Sequence, residues 1–229
     1  MNSLKSNIRI KNGSLLLSIA LLFICNLAKS QTNPPFRFTF VTSPQLNWFS
    51  SDKSSVDPGD MKPGYNFGVN ADLFLGSNKY SFATGVTISQ INSSLTYREN
   101  VIIGNQDFPG GSSLDYELKF VEVPAALRLR TNQFHRMIYY AQFGLFTLIN
   151  VSASGKSDNM ALDGENISEE IRLFNAGFTV GGGAEYDLGG NNALTFGLIY
   201  NNGFSDLTTN DLNENVFLRN LRLRLGIIF

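Results

Sequence analysis

The sequence predicts an all-β fold, an eight-stranded antiparallel up-and-down transmembrane β-barrel. The chain is apolar and aromatic, with 43% hydrophobic, 12% aromatic and only 16% charged residues. Apolar and polar residues alternate with period two in eight segments between residues 36 and 229. The connections between these segments are alternately long and short. The composition excludes disorder, and 18 Lys and Arg against 19 Asp and Glu disfavour nucleic acid as a partner.

Residues 1–30 are predicted to be a signal peptide, which leaves 31–229 as the barrel domain. A basic start is followed by an apolar run at 15–24 and then by Ala28-Lys29-Ser30, which suits a signal peptidase. The run is too short to cross a bilayer of about 30 Å as a helix, although an N-terminal membrane anchor is the alternative. Cys25 is expected to leave with the signal, so the mature chain has no thiol chemistry.

The strands are predicted from alternation in chain order. They lie at 36–49, 63–75, 80–97, 116–130, 137–151, 171–188, 193–203 and 216–229. In the second, one face carries Tyr65, Phe67, Val69, Ala71, Leu73 and Leu75. In the sixth, one face carries Phe174, Ala176, Phe178, Val180, Ala184, Tyr186 and Leu188. In the last, Phe217, Leu221, Leu223, Leu225, Ile227 and Phe229 oppose Asn220, Arg222, Arg224 and Gly226.

The connections indicate an orientation in the bacterial outer membrane. The long ones are 50–62, 98–115, 152–170 and 204–215, and the short ones are 76–79, 131–136 and 189–192. Outer-membrane barrels have long external loops and short periplasmic turns. We therefore expect both termini in the periplasm. Fourteen of the 19 acidic residues fall in the long loops, which predicts an acidic, solvated outer end.

The apolar face of each strand is predicted to face lipid. The opposite face consists mostly of Gly, Ser, Thr and Asn, which suits the crowded inside of a narrow barrel. A soluble lipocalin-like barrel or sandwich would turn its apolar face inward and carry charges outside. Aromatic residues near strand ends suggest interfacial girdles, namely Trp48, Tyr65, Tyr80, Tyr139, Tyr186 and Tyr200.

Short motifs along 36–229 carry a resemblance to a known family. They are Tyr80-Ser81-Phe82-Ala83-Thr84-Gly85, Phe120-Val121-Glu122-Val123-Pro124, Tyr140-Ala141-Gln142-Phe143-Gly144, Val180-Gly181-Gly182-Gly183-Ala184-Glu185-Tyr186 and Asn201-Asn202-Gly203-Phe204. Through these the chain resembles the PorT-like outer-membrane β-barrels of Bacteroidetes. The family takes its name from a component of the type IX secretion system, so the resemblance implies an envelope role with a possible link to secretion.

No residues are predicted to be catalytic, cofactor-binding or metal-binding. The single histidine, His135, falls in a short turn, on the side opposite the rim where hydrolytic barrels place their catalytic groups. Five loop acids match no calcium-loop spacing: Asp158, Asp163, Glu165, Glu169 and Glu170. The glycines at 181–183 lie within a strand and are expected to relieve crowding.

Charged residues on the polar face are expected to meet inside the barrel. They are Asp72, Glu122, Glu185, Arg128, Arg130, Arg222 and Arg224. An eight-stranded barrel has room inside only for side chains, so these charges must pair or reach trapped water. The two interpretations are an internal plug and a gated narrow pore. Pro124, within the fourth strand, is expected to mark a β-bulge.

Three functions remain open from the sequence. The first is a non-enzymatic barrel with a plugged lumen that serves as a structural, binding or accessory surface component. The second is a narrow channel for small solutes, and the third is a membrane-embedded enzyme. The expected partners are outer-membrane lipid, an unidentified envelope protein and the insertion machinery, which would read the C-terminal strand ending at Phe229.

Overall fold

The computed structural model describes residues 36–52, 56–103, 106–157, 162–209 and 215–229. By its internal contacts the chain divides into residues 1–36 and residues 37–229, and the second unit holds the barrel. The predicted signal peptide at 1–30 lies outside the described residues. Within the described part of the chain, no helix has the length and hydrophobicity needed to cross a membrane.

Eight long strands form one closed antiparallel barrel. They are β1 (Phe36–Ser51), β2 (Lys62–Phe74), β3 (Tyr80–Tyr97), β4 (Ser113–Arg130), β5 (Met137–Ser157), β6 (Phe174–Gly189), β7 (Asn192–Gly203) and β8 (Val216–Ile228). Each strand pairs with its neighbours in sequence, and β8 pairs with β1, for example at Gln45 opposite Arg222. Because the ring is complete, none of the eight leaves an open edge. The predicted fold class is confirmed.

Most strand boundaries agree with the sequence prediction, but β5 continues past residue 151 to Ser157. The reason is a bulge. Lys119 of β4 lies opposite Ser152, whereas Phe120 lies opposite Asn150, so Val151 is an extra residue. A bulge shifts the alternation by one position. A period-two pattern therefore ends at Val151, although the strand does not.

The long connections contain more structure than the sequence suggests. Val56–Pro58 adds a short strand beside β3, and Leu162–Asn166 adds one beside β5. Val101–Ile103 and Gln106–Phe108 form a two-stranded hairpin of their own. Ser168–Glu170 forms one 3-10 turn. The sequence prediction located these connections but did not identify the strands and the turn within them.

The bulge expected at Pro124 is absent. Pro124 lies opposite Phe146 of β5, and the register is continuous on both sides of this pair. Across the other edge, Thr84 pairs with Ala125 and Thr87 pairs with Glu122 in one constant register. The ladder with β3 is interrupted only beside the proline, which has no N–H to donate. The closed barrel tolerates Pro124 by omitting hydrogen bonds rather than by adding a residue.

The polar side chains do point inward along most of the barrel. In β8, Arg222 and Arg224 are buried, whereas Leu223 and Leu225 between them are exposed on the outside. The same alternation places Glu185 of β6 inside. The predicted assignment of the faces is confirmed for this part of the strands.

Near the loop end of β4 the two faces exchange polarity. Leu118 and Phe120 are fully buried, on the same face as Glu122, whereas Glu117 and Lys119 are exposed. Strand β4, at about 3.4 Å per residue and a tilt near 40°, rises about 45 Å, well beyond an apolar band of about 25 Å. The part of the barrel nearest the long connections therefore has an apolar interior and a polar exterior, as a soluble protein does.

Candidate functional site: the barrel lumen

The lumen near the short turns is filled by an ionic network centred on Asp72 of β2. Its Oδ2 accepts hydrogen bonds from Arg128 Nη1 and Arg130 Nη2, both at 2.7 Å. Arg128 also donates to the side-chain oxygen of Gln142, and Arg130 donates to Ser81 Oγ at 2.7 Å. All five side chains are buried. Asp72 thereby offsets much of the positive charge on β4.

Glu185 of β6 extends this network towards the start of β1. Its two oxygens accept from Arg130 Nε at 3.1 Å and from Arg37 Nη2 at 2.7 Å. The guanidinium groups of Arg37 and Arg130 also stack on the ring of Phe74, at 5.6 and 5.1 Å from its centroid. Sequence reasoning missed Arg37 and Phe74, although both lie on the inward face by strand parity.

A separate ion pair joins β4 and β8 nearer the middle of the barrel. Arg222 donates from Nη1 and Nη2 to the two oxygens of Glu122, each at 2.8 Å. Its Nε donates to Asn220 at 3.1 Å. Glu122 does not pair with Arg128, although both lie on one face of β4, because six residues separate them along an extended strand. The expected pairing of lumen charges is found, with partners that the sequence did not identify.

Glycines make room for the large lumen side chains, as the sequence suggested for 181–183. A Cβ added to Gly183 would lie 2.8 Å from the Tyr140 hydroxyl, and one added to Gly197 would lie 2.6 Å from it. The Tyr140 ring in turn lies 4.9 Å from the Arg128 guanidinium. Small residues on β6 and β7 thus leave space for an aromatic ring from β5.

The lumen near the long loops is filled by an apolar cluster, which we call the apolar cap. Its members are all buried: Phe49, Val56, Ile91, Leu95, Tyr97, Leu114, Tyr116, Leu118, Phe120, Phe146, Leu148, Ala153, Ile167, Ile171, Leu207, Val216 and Leu218. Val56, Ile167, Ile171 and Leu207 come from connections between strands, which therefore fold inward over the barrel. The expectation of an acidic, solvated end applies only to its exterior.

Asp206 ties two of these connections together. Its carboxylate accepts from Arg172 Nη2 at 2.9 Å and from the backbone N–H of Val216 at 2.9 Å. The backbone N–H of Arg172 donates to the carbonyl of Leu207 at 2.9 Å. The segments after β5 and β7 and the start of β8 are thereby joined around one carboxylate.

The sequence has a family match that agrees with this geometry. Residues 29–209 match the family described as outer membrane protein β-barrel domain. The chain belongs to this family. None of the curated proteins matches it.

Solved outer-membrane barrels are similar in fold to this family member. Neisserial surface protein A matches with a TM-score of 0.52 and 15% identity over 85% of this chain and 96% of that one. OprG from Pseudomonas aeruginosa gives a TM-score of 0.46, 10% identity and the same coverage. Ail from Yersinia pestis gives a TM-score of 0.42 and 14% identity over 86% and 100%. At 15% identity, the likeness to Neisserial surface protein A shows the fold alone.

The apolar band on the outside of this outer-membrane barrel ends at the same level on three adjacent strands. One outward row is apolar, with Phe67 opposite Ile88 and Ile88 opposite Val121. The outward row two residues nearer the loops is amphipathic, and the outward row two residues beyond that is polar. These rows are Tyr65, Gln90 and Lys119, and then Asn92 and Glu117. The exchange of polarity in β4 therefore lies at the loop-side boundary of this apolar band, and β2 and β3 change polarity at the same level.

The predicted aromatic girdles agree with that boundary. Trp48, Tyr65 and Tyr200 lie on outward positions near the loop ends of β1, β2 and β7. Tyr80 and Tyr139 lie exposed near the turns at the other end. Two aromatic levels on the outside are typical of a band held between two membrane interfaces.

The remaining candidates do not form a site among the described residues. His135 lies in the turn between β4 and β5, its ring against that of Phe134, at the end opposite the acidic loops. Asp158 lies outside the residues that the structure describes, and so do the side chains of Asp163 and Glu165. No group of three or more metal-ligating side chains is found in the described part of the chain.

Proposed function

We propose that this family member is a non-enzymatic, non-conducting outer-membrane barrel that presents a rigid outer end to an envelope partner. The observation that carries the proposal is that two separate layers of side chains fill the lumen, one near each end of the barrel. The Asp72–Arg128–Arg130–Glu185 network fills the turn end, and the apolar cap fills the loop end. A permeating ion would have to separate buried ion pairs and then cross an apolar layer.

The energetics of both layers favour a closed lumen. Breaking one buried ion pair leaves an uncompensated charge and costs about 3–5 kcal/mol. Placing an ion in the apolar cap would cost more still, since nothing there would replace its hydration shell. Motion of a single side chain cannot open both layers at once, so we expect no sustained conductance.

The outer end is suited to binding because its described segments form short strands and a 3-10 turn and contribute to the buried apolar cap. A polar cleft of about 360 Å³ lies on its outside, above the lipid band. Lys62 pairs with Asp115 at 2.6 Å at this cleft, and Gln90 donates to Glu117 at 2.8 Å. Charges of both signs in fixed positions suit a polar protein surface more than an apolar ligand.

The proposed orientation puts this outer end outside the cell and the turns in the periplasm. Both ends of the barrel sheet lie at the turn side, where Phe38 and Phe229 exchange backbone hydrogen bonds of 3.2 and 3.0 Å. Removal of residues 1–30 as a signal peptide belongs to the same proposal. The resemblance to PorT-like barrels makes a secretion component one candidate for the envelope partner.

Conductance of the purified barrel in planar bilayers tests the closed lumen. We expect no sustained current from the wild-type protein at either polarity. Steady current from correctly folded barrels would instead support the narrow channel. Folding is verified on the same sample by the gel-mobility difference between unheated and boiled protein.

Site-specific cross-linking tests the binding role. A photo-reactive residue at Glu117, on the outer cleft, should yield a discrete adduct with an envelope protein in cells. The same residue at Leu223, on the lipid-facing side of β8, should not yield that adduct. Identical adduct patterns from both positions would argue against the outer cleft as the binding surface.

A further inference from the structure

The charges inside the barrel do not balance. Among the described residues, five arginines point into the lumen and three carboxylates face them. The arginines are Arg37, Arg128, Arg130, Arg222 and Arg224, and the carboxylates are those of Asp72, Glu122 and Glu185. Five against three leaves an excess of two positive charges. Arg37 is 18% exposed at the turn end, where water can solvate it. The other excess positive charge lies deeper in the lumen and needs a partner there.

Arg224 is the arginine without a carboxylate partner. It is 4% exposed, and no acidic oxygen of the described residues lies within 4.0 Å of it. With its amide oxygen turned towards Arg224, Asn70 accepts from Nη1 at 3.1 Å and from Nη2 at 2.8 Å. The Nε of Arg224 is buried and makes no hydrogen bond. A neutral amide therefore holds a guanidinium whose charge nothing in its immediate contact cancels.

A small cavity adjoins this guanidinium. Its volume is about 30 Å³, and it lies between the ionic network and the apolar cap. Asn201, Thr179, Arg222 and Arg224 contribute to its wall. Asn201 is 1% exposed, and neither atom of its amide has a hydrogen-bond partner. Buried amides are rarely left unsatisfied. Asn201 and Arg224, which both have an unpaired buried donor, line the same cavity of water-like size.

We propose that this cavity binds one small monovalent anion of the chloride class, held by Arg224 and Asn201. Water in the cavity would satisfy the hydrogen bonds but would leave the excess charge uncancelled. Glu122 also borders the cavity, but Arg222 occupies both of its oxygens. A volume of about 30 Å³ suits a single-atom anion better than sulfate, phosphate or an organic carboxylate. The inference goes beyond the proposed function, because it holds whether or not the lumen conducts.

Halide-dependent stability of the full chain tests the proposal. Urea unfolding of the barrel in detergent micelles is followed at constant ionic strength, with sodium gluconate replacing sodium chloride. An anion that binds only the folded barrel lowers the unfolding equilibrium constant by about 100-fold at 100 times its Kd. Bromide should act like chloride, and crystals grown in bromide should show an anomalous peak beside Arg224. Equal stability in chloride and gluconate would overturn the proposal.

Two variants separate binding in the cavity from general effects of salt. Asn70→Asp places a carboxylate on Arg224 and should abolish the chloride dependence while the barrel still folds. Lys119→Gln removes an exposed cation outside the lumen and should leave the dependence unchanged. A full chloride dependence in Asn70→Asp would assign the effect to another site and contradict the inference. Should Asn70→Asp fail to fold, the wild-type titration and the bromide peak still decide.

Discussion

Arg222 of β8 and Glu122 of β4, 100 residues apart in the chain, form a bidentate ion pair across the inside of the barrel, with both hydrogen bonds at 2.8 Å. Strands β4 and β8 are not neighbours in the sheet, so this pair spans the lumen. Both side chains are buried. The pair therefore links opposite walls of the barrel, with both charged groups removed from bulk water.

Removing one partner of this pair should destabilise the barrel strongly. We expect Glu122→Ala to lower the free energy of unfolding by about 3–5 kcal/mol, because Arg222 would keep a buried charge without its partner. The double variant Glu122→Leu/Arg222→Met should be near neutral by the same argument. Urea unfolding in micelles measures both. The exposed Glu117→Gln is the control, and an equal loss there would contradict this account.

The inward-facing Gly183 should tolerate a side chain less well than its neighbour Gly182. A Cβ at Gly183 would meet the carbonyl oxygen of Phe196 and the hydroxyl of Tyr140, but at Gly182 the nearest atom is 3.1 Å away. We expect Gly183→Ala to cost about 1–3 kcal/mol through overpacking. Gly182→Ala should cost less. Equal unfolding midpoints for the two variants would show that the lumen is looser than described.

Asp206 should hold the outer segments against the barrel. We expect Asp206→Asn to weaken the bonds to Arg172 and to the Val216 N–H, since a charged acceptor binds about twice as strongly as a neutral one. Hydrogen exchange of the Leu207 and Val216 amides should then accelerate, while the amides of β6 stay protected. Asp60→Asn, at an exposed position, is the control. Unchanged exchange at both amides would mean that the apolar cap alone holds these segments.

The orientation in the membrane can be read by labelling single cysteines in intact cells. The expected mature chain has no cysteine, so Asp60→Cys and Asn191→Cys each provide one reactive thiol. Asp60 lies at the loop end and Asn191 in the turn between β6 and β7. An impermeant maleimide should label position 60 and leave position 191 unlabelled until the cells are lysed. The opposite result would reverse the proposed orientation.

Deletion of residues 217–229 should prevent insertion. Strand β8 pairs with β7 on one side and with β1 on the other, so its loss exposes two unpaired edges. Open edges are not tolerated in the hydrocarbon core. We expect the truncated chain to be degraded or retained in the periplasm, with no mobility difference between unheated and boiled samples. Phe229→Ala separates a role in recognition from a role in closure, because it leaves all of β8 in place.

The sequence contains a sign of the apolar cap: the inward face of a strand changes from apolar to polar partway along its length. In β4 the inward positions carry Leu118 and Phe120 and, two residues later, Glu122. The extra residue Val151 then shifts the alternation in β5. If one face of each whole strand is taken as polar and the other as apolar, the residues near the long connections are assigned to the wrong side of the barrel wall.

The sequence by itself determined the eight strands and their up-and-down order. Within the apolar outer band, it also determined which residues point outward and which point into the lumen. Period-two alternation and the lengths of connections are local properties of the chain, so they do not depend on its tertiary contacts. Only the tertiary structure decided which charges pair, that Arg37 reaches Glu185, and that Val56 and Leu207 fold into the lumen. The physical reason is that the stagger of a closed barrel sets which levels of distant strands face each other, and this depends on all eight strands together.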